Sequence, residues 1–202
     1  MTQIKLCGMK RPVDIEVVNE LKPDYIGFIF AKKSKRYVDP DTAGELKKLL
    51  SPDIKAVGVF VNEEASNVAK LLNENVIDMA QLHGDEDEVY ISKLRKLSDK
   101  PIIKALKITS EDDIKKADES SADYVLLDSG AGTGMVFNWG LIKGIKRPYF
   151  LAGGLNPENV AEAVNTLNPY AVDVSSGIET DGFKDKDKMT AFVSNVRKES
   201  VK

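Results

Sequence analysis

The chain's only cysteine, Cys7, closes the apolar run Ile4-Lys5-Leu6-Cys7, and Gly8 follows it at once. A lone thiol is most often a small buried hydrophobe. At the C-terminal tip of a strand in a parallel α/β protein it also stands where ligands bind, so Cys7 is a candidate base. Asp128 closes another apolar run and opens Asp128-Ser129-Gly130-Ala131-Gly132-Thr133-Gly134. An acid under a glycine-rich lid can be desolvated when the lid closes, which raises its pKa as a general acid requires. A turn cap is an equal alternative for that aspartate. Arg36 ends a cationic loop with Lys32, Lys33 and Lys35. Such runs are usually solvated surface, yet a guanidinium grips a carboxylate through two parallel bonds, and Arg36 is the choice for an anionic end of a ligand. His83, the sole histidine, shares a strand face with Gln81 and reads as a ligand contact or a rim hydrogen bonder. One histidine and one cysteine supply no zinc set, so no metal is expected.

Two further stretches have the character of an anion seat. Gly153-Gly154 and Ser175-Ser176-Gly177 each follow an apolar run near the C-terminus. Backbone N–H groups exposed in such loops form the common phosphate cradle of barrel folds. Tight turns alone would explain one glycine pair more easily than both loops.

These residues need a scaffold, and the apolar runs provide it. They lie at Ile4–Cys7, Tyr25–Phe30, Ile54–Val61, Met79–Leu82, Ile102–Leu106, Tyr124–Leu127, Tyr149–Ala152 and Ala171–Val174. Helical patterns separate them. Pro12–Leu21 places Val13, Val17 and Leu21 on one face. Asp39-Pro40 opens a second helix with a cap and a proline at its first position, and Asn156-Pro157-Glu158 repeats that signature. Strand, helix and short loop in regular alternation mean βαβ units around a parallel sheet. Eight such units match a (β/α)8 TIM barrel better than an open doubly wound sheet, and the turn after Cys7 carries no glycine-rich dinucleotide fingerprint. With no linker or composition shift, residues 1–202 read as a single barrel domain with few insertions.

Alternation along strands says which side chains face inward. Lys5 and Cys7 share one face of the first strand; Asp173 and Ser175 share one face of the last. First and last strands are neighbours in a closed barrel, so a buried Lys5–Asp173 ion pair is expected, because an unpaired buried charge is costly. A cation below Cys7 is expected to lower the thiol pKa from a reference of about 8.5. A purely structural ion pair fits the sequence nearly as well.

Composition narrows the function classes. At 42% hydrophobic, 30% charged and a net charge of −3, the chain shows no bias toward nucleic acid or anionic membrane. No apolar run reaches membrane-spanning length, and the N-terminus lacks the layout of a signal peptide. One cysteine suits a reducing compartment, and a cytoplasmic location is expected.

Taken together, these segments resemble phosphoribosylanthranilate isomerases over nearly the whole length. The likeness is carried by Lys5-Leu6-Cys7-Gly8, Tyr25-Ile26-Gly27-Phe28-Ile29-Phe30, Ser34-Lys35-Arg36-Tyr37 and Val57-Gly58-Val59-Phe60-Val61-Asn62. It continues through Gln81-Leu82-His83-Gly84, Leu127-Asp128, Leu151-Ala152-Gly153-Gly154-Leu155-Asn156-Pro157-Glu158 and Asp173-Val174-Ser175-Ser176-Gly177-Ile178-Glu179. The resemblance implies an Amadori rearrangement of N-(5-phosphoribosyl)anthranilate with no cofactor, Asp128 as acid and Cys7 as base. It also implies that Arg36 takes the ring carboxylate, and that the loops holding Gly153, Gly154, Ser175, Ser176 and Gly177 take the phosphate. His83 and Asp173 fall among the substrate contacts. The expected partner is this small phosphoribosyl substrate, on a monomer or homodimer. Two departures, Phe137-Asn138-Trp139 and Asp181-Gly182, replace an aspartate and a Pro-Gly common in the family, and neither touches the implied chemistry. Two rivals are a related phosphosugar isomerase of histidine biosynthesis, which carries an aspartate where Cys7 stands, and a non-catalytic phosphate-binding barrel.

Overall fold

The computed structural model describes residues 1–128, 139–142 and 144–199. Eight parallel strands close on themselves in sequence order. They are β1 (Gln3–Cys7), β2 (Tyr25–Ile29), β3 (Lys55–Phe60), β4 (Met79–Leu82), β5 (Ile102–Lys107), β6 (Tyr124–Asp128), β7 (Tyr149–Ala152) and β8 (Ala171–Val174). Closure is made by β8 against β1, in a register that sets Lys5 opposite Asp173. The barrel is the one expected, and strand ends move by a residue or two. Ile54 falls outside β3 because its N–H turns back to the Ser51 carbonyl.

Side-chain alternation sorts the core into two regions. Ile4, Leu6, Ile26, Phe28, Ala56, Val125, Leu127 and Val172 point outward into the layer shared with the helices. Tyr25, Val57, Met79, Ile103, Leu126 and Phe150 fill the barrel interior. Its floor is aromatic: Tyr124 stacks on Tyr170 at 5.2 Å, and the hydroxyls of Tyr25 and Tyr170 share a hydrogen bond of 3.1 Å. This plug closes one end of the barrel, so a ligand has to enter from the C-terminal ends of the strands.

Three aspartates, each immediately before an even-numbered strand, staple the opposite rim. Asp24, Asp78 and Asp123 accept the backbone N–H groups of Ile4 (2.8 Å), Ala56 (2.7 Å) and Ile102 (2.7 Å) in the preceding strands. Each satisfies a donor that would otherwise be left at a strand start.

Helix starts follow local chemistry. α1 (Pro12–Leu21) has proline at its first turn, and the Asp14 carboxylate accepts from the N–H groups of Lys10 and Arg11. α2 (Pro40–Leu49) is capped by Asp39, which accepts from the Thr42 N–H at 2.9 Å. The Asn156-Pro157 signature works differently from expectation. Asn156 accepts from the N–H groups of Glu158 and Asn159, forming a turn, and the helix Val160–Leu167 begins only after it.

Candidate functional site

Nine of the residues expected from sequence open onto one cavity of about 240 Å³ at the C-terminal end of the barrel. Cys7, Arg36, His83 and Asp128 contribute side chains to it, and Gly153, Gly154, Ser175 and Ser176 form another part of its wall. Asp173 also lines it. Gly177 is not among the lining residues. A Cβ there would lie 2.0 Å from the Leu155 carbonyl oxygen, so its role is to let the loop after β8 pack on the loop after β7. The glycine-rich segment beyond Asp128, from Ser129 to Gly134, lies outside the described residues.

Cys7 and Asp128 come from β1 and β6, strands separated by β7 and β8 around the barrel. Alternation turns both inward. Beneath Cys7 the expected ion pair is present: Lys5 Nζ donates to Asp173 Oδ1 at 3.0 Å, with the lysine side chain fully buried. Burial alone would depress the Lys5 pKa, but the charges of Asp173 and Cys7 outweigh it and the net shift is upward. Lys5→Met removes the cation and leaves Asp173 confined without it, so a loss of about 3–5 kcal/mol is expected. Urea unfolding measures it; a loss below about 1 kcal/mol would make the pair dispensable.

The thiol departs from expectation. Burial pushes the Cys7 pKa up, and Lys5 and Lys184 recover only part of that against the opposing charge of Asp173. Depth in the barrel is the reason: desolvation of the thiolate exceeds the attraction of a cation already committed to a carboxylate. Cys7 is therefore mainly a neutral thiol at neutral pH, and a strong base when it ionises.

Room for that thiol is made by Gly27, which pairs with Cys7 in the β1–β2 register. A Cβ on Gly27 would sit 2.5 Å from the Cys7 sulfur and 3.1 Å from its Cα. Gly27→Ala is expected to displace the thiol and lower kcat by roughly 10²-fold, as small misplacements of reacting groups do. Steady-state kinetics beside a thermal melt tests this; unchanged kcat in a folded variant would show that the sulfur position is not critical.

His83 bridges two residues of the wall. Its Nδ1 lies 2.8 Å from Gln81 Nε2, and its Nε2 lies 3.4 Å from Asp128 Oδ2. A donating Gln81 amide fixes the proton on Nε2, facing the carboxylate. Gln81 is 1% exposed, and its Oε1 finds no partner among the described residues. Such a buried open acceptor in a cavity wall suits a hydroxyl or N–H of a ligand.

Arg36 lines the cavity with its fork partly engaged. Nε and Nη2 donate to the two carboxylate oxygens of Glu179, each at 2.6 Å. Burial pushes the Glu179 pKa upward, but hydrogen bonds from Arg36 and Lys184 overcome it and hold the carboxyl at about 2. Neither Glu179 nor Lys184 was singled out by sequence; the Asp181-Gly182 pair between them was the available signal, since that dipeptide favours a tight hairpin.

Among the described residues no group of three or more His, Cys, Asp or Glu could hold a metal ion, and no helix is long and apolar enough to cross a membrane.

The sequence model of the N-(5'-phosphoribosyl)anthranilate (PRA) isomerase family matches residues 4–195. The chain is 46% identical to N-(5'-phosphoribosyl)anthranilate isomerase of Endomicrobium trichonymphae, covering 98% of this chain and 99% of that one. It is also 46% identical to the enzyme of that name from Clostridium acetobutylicum, with the same shares covered, 98% and 99%. The crystal structure of phosphoribosyl anthranilate isomerase from Thermotoga maritima superposes with a TM-score of 0.88 at 36% identity, over 98% of this chain and 100% of that one. A crystal structure of a phosphoribosyl anthranilate isomerase in complex with reduced 1-(o-carboxyphenylamino)-1-deoxyribulose 5-phosphate gives 0.86 at 35%, over 98% and 100%.

Proposed function

The chain belongs to the N-(5'-phosphoribosyl)anthranilate isomerase family, an enzyme family of tryptophan biosynthesis, and from that premise we propose how its own residues carry the isomerisation. The observation that supports the reading is that a buried thiol and a carboxyl from strands across the barrel open onto one cavity, Cys7 and Asp128.

Asp128, in its protonated form, gives a proton to the furanose ring oxygen. The C1–O bond breaks, the anilino nitrogen supplies its lone pair to C1, and an iminium forms. Asp128 is left as a carboxylate facing His83, whose Nε2 stands 3.4 Å away and can steady the charge. The iminium withdraws electrons from C2, which acidifies the C2–H bond. Cys7, as thiolate, takes that proton, and the bonding pair becomes the C1–C2 double bond of an enolamine. Protonation at C1, with loss of the C2 hydroxyl proton as that oxygen becomes the carbonyl, then yields the ketose, 1-(2-carboxyphenylamino)-1-deoxyribulose 5-phosphate. Atoms balance within the substrate, and no external oxidant or reductant enters.

The two ends of the substrate are held apart from this chemistry. The phosphate lies on the loops of Gly153-Gly154 and Ser175-Ser176, where Gly153 and Gly154 take left-handed backbone (φ 91° and 68°) and bring main-chain donors close. The anthranilate carboxylate goes to Arg36. A fluorescence assay tests the function directly: purified protein is added to phosphoribosylanthranilate generated in place, since the compound is labile. Protein-dependent loss of anthranilate-type fluorescence, with formation of the ketose, is expected; no change in signal would refute the reading.

A further inference from the structure

A guanidinium offers a carboxylate two usable double-donor edges: side-on, through Nε and Nη2, and end-on, through Nη1 and Nη2. In Arg36 the side-on edge is taken by Glu179, both contacts at 2.6 Å. The end-on edge finds no acceptor for Nη1 among the described residues. Arg36 lines the cavity, whereas Glu179 and Lys184 are not among its lining residues, so the carboxylate grips the guanidinium from behind.

Glu179 is itself held by a purpose-shaped element. It sits on β9 (Glu179–Thr180), paired with Lys184 on β10 (Phe183–Lys184). The turn residues Asp181 (φ 52°) and Gly182 (φ 78°) both take left-handed backbone, which a two-residue hairpin of this twist requires. Cross-strand pairing sets Glu179 and Lys184 side by side, and Lys184 Nζ donates to Glu179 Oε1 at 2.7 Å and to the Ser175 carbonyl at 2.8 Å. The lysine side chain is only 2% exposed. Phe183 lies beneath Lys10 and Arg11, at 4.9 and 4.8 Å, and Arg11 Nη2 donates to the Lys184 carbonyl at 3.1 Å. The hairpin is thereby tied to the loop that follows Cys7.

We propose that Glu179, fixed by Lys184, is a positioning residue that preorganises Arg36, so that its Nη1–Nη2 edge meets the substrate carboxylate end-on. This deepens the assignment of Arg36 made above and rests on it. The opposite role, a carboxylate competing with substrate for Arg36, calls for Glu179 on the end-on edge or inside the cavity, and it is on neither. Preorganisation acts on affinity, since an arginine already held in its bound rotamer loses less freedom when the ligand arrives.

Binding titrations with two ligands test it: reduced 1-(o-carboxyphenylamino)-1-deoxyribulose 5-phosphate, and the same compound without the ring carboxylate. Glu179→Ala is expected to weaken the carboxylated ligand roughly 10- to 100-fold, the range for charge-assisted hydrogen bonds, and to leave the carboxylate-free ligand unchanged. Glu179→Gln, which keeps the shape and one acceptor, should fall between wild type and Glu179→Ala, and it carries the test if the alanine variant melts early. Arg36→Ala should show the same selectivity, with no added loss in the double variant. Glu179 variants that bind the carboxylated ligand unchanged or more tightly, or lose both ligands equally, would overturn the positioning role while a selective Arg36→Ala keeps the clamp. An unselective Arg36→Ala would remove the clamp, and the positioning role with it.

Discussion

Cys7→Ala is expected to lower kcat by roughly 10²- to 10⁴-fold, the range for loss of a positioned general base, in a protein that still folds. Cys7 is 5% exposed and small, so removing its sulfur only slightly enlarges the cavity it lines. The substrate's phosphate and carboxylate contacts lie on other residues, so KM should change little. Proton removal from C2 then becomes the slow step, and a substrate deuterated at C2 should show a full primary isotope effect. Acid and base together give a bell-shaped pH–rate profile whose alkaline limb follows the higher of the two pKa values. Burial lifts the Cys7 pKa above the ordinary thiol range, so that limb should lie on the alkaline side of that range in the wild type. Cys7→Ser, with a hydroxyl that does not titrate there, should abolish it. A limb unmoved in Cys7→Ser would assign the base elsewhere, with His83 the nearest alternative.

Asp128→Asn is expected to cost a similar roughly 10²- to 10⁴-fold in kcat by removing the acid while keeping the shape. The amide oxygen can still accept from His83 Nε2, which lies 3.4 Å from the native carboxylate, so the wall of the cavity is preserved. What is lost is a proton acidic enough for the ring oxygen. Ring opening then limits the rate, and the C2 isotope effect should shrink toward unity, opposite to its behaviour in Cys7→Ala. A large isotope effect in both variants would mean that Asp128 does not act in ring opening.

Much of the frame that sets up these experiments was readable from strand alternation. A period of two places Lys5 and Cys7 on one face, closure of an eight-strand ring makes β1 and β8 neighbours, and the Lys5–Asp173 pair follows. The sign of the Cys7 shift did not follow, because it depends on how deeply the thiol is buried, and spacing along a chain carries no depth. The engagement of Arg36 was hidden for a different reason. Glu179 stands 143 residues away and reaches it only after the Asp181-Gly182 hairpin folds the chain back. Gly27 read as an ordinary strand residue, since nothing in its own segment says that a sulfur from the next strand lies over it. The Asn156-Pro157 signature misled slightly: its side chain serves a turn, and the helix starts three residues beyond the proline.

The central claim is that one thiol and one carboxyl act on neighbouring atoms of a single sugar. A crystal structure of this chain with reduced 1-(o-carboxyphenylamino)-1-deoxyribulose 5-phosphate tests it most directly. Cys7 Sγ is expected about 3–3.5 Å from C2, the distance of a near-attack arrangement, with the Asp128 carboxyl at the C4 hydroxyl that derives from the ring oxygen. A ligand seated with its phosphate at Arg36, or with C2 beyond reach of the sulfur, would contradict the account.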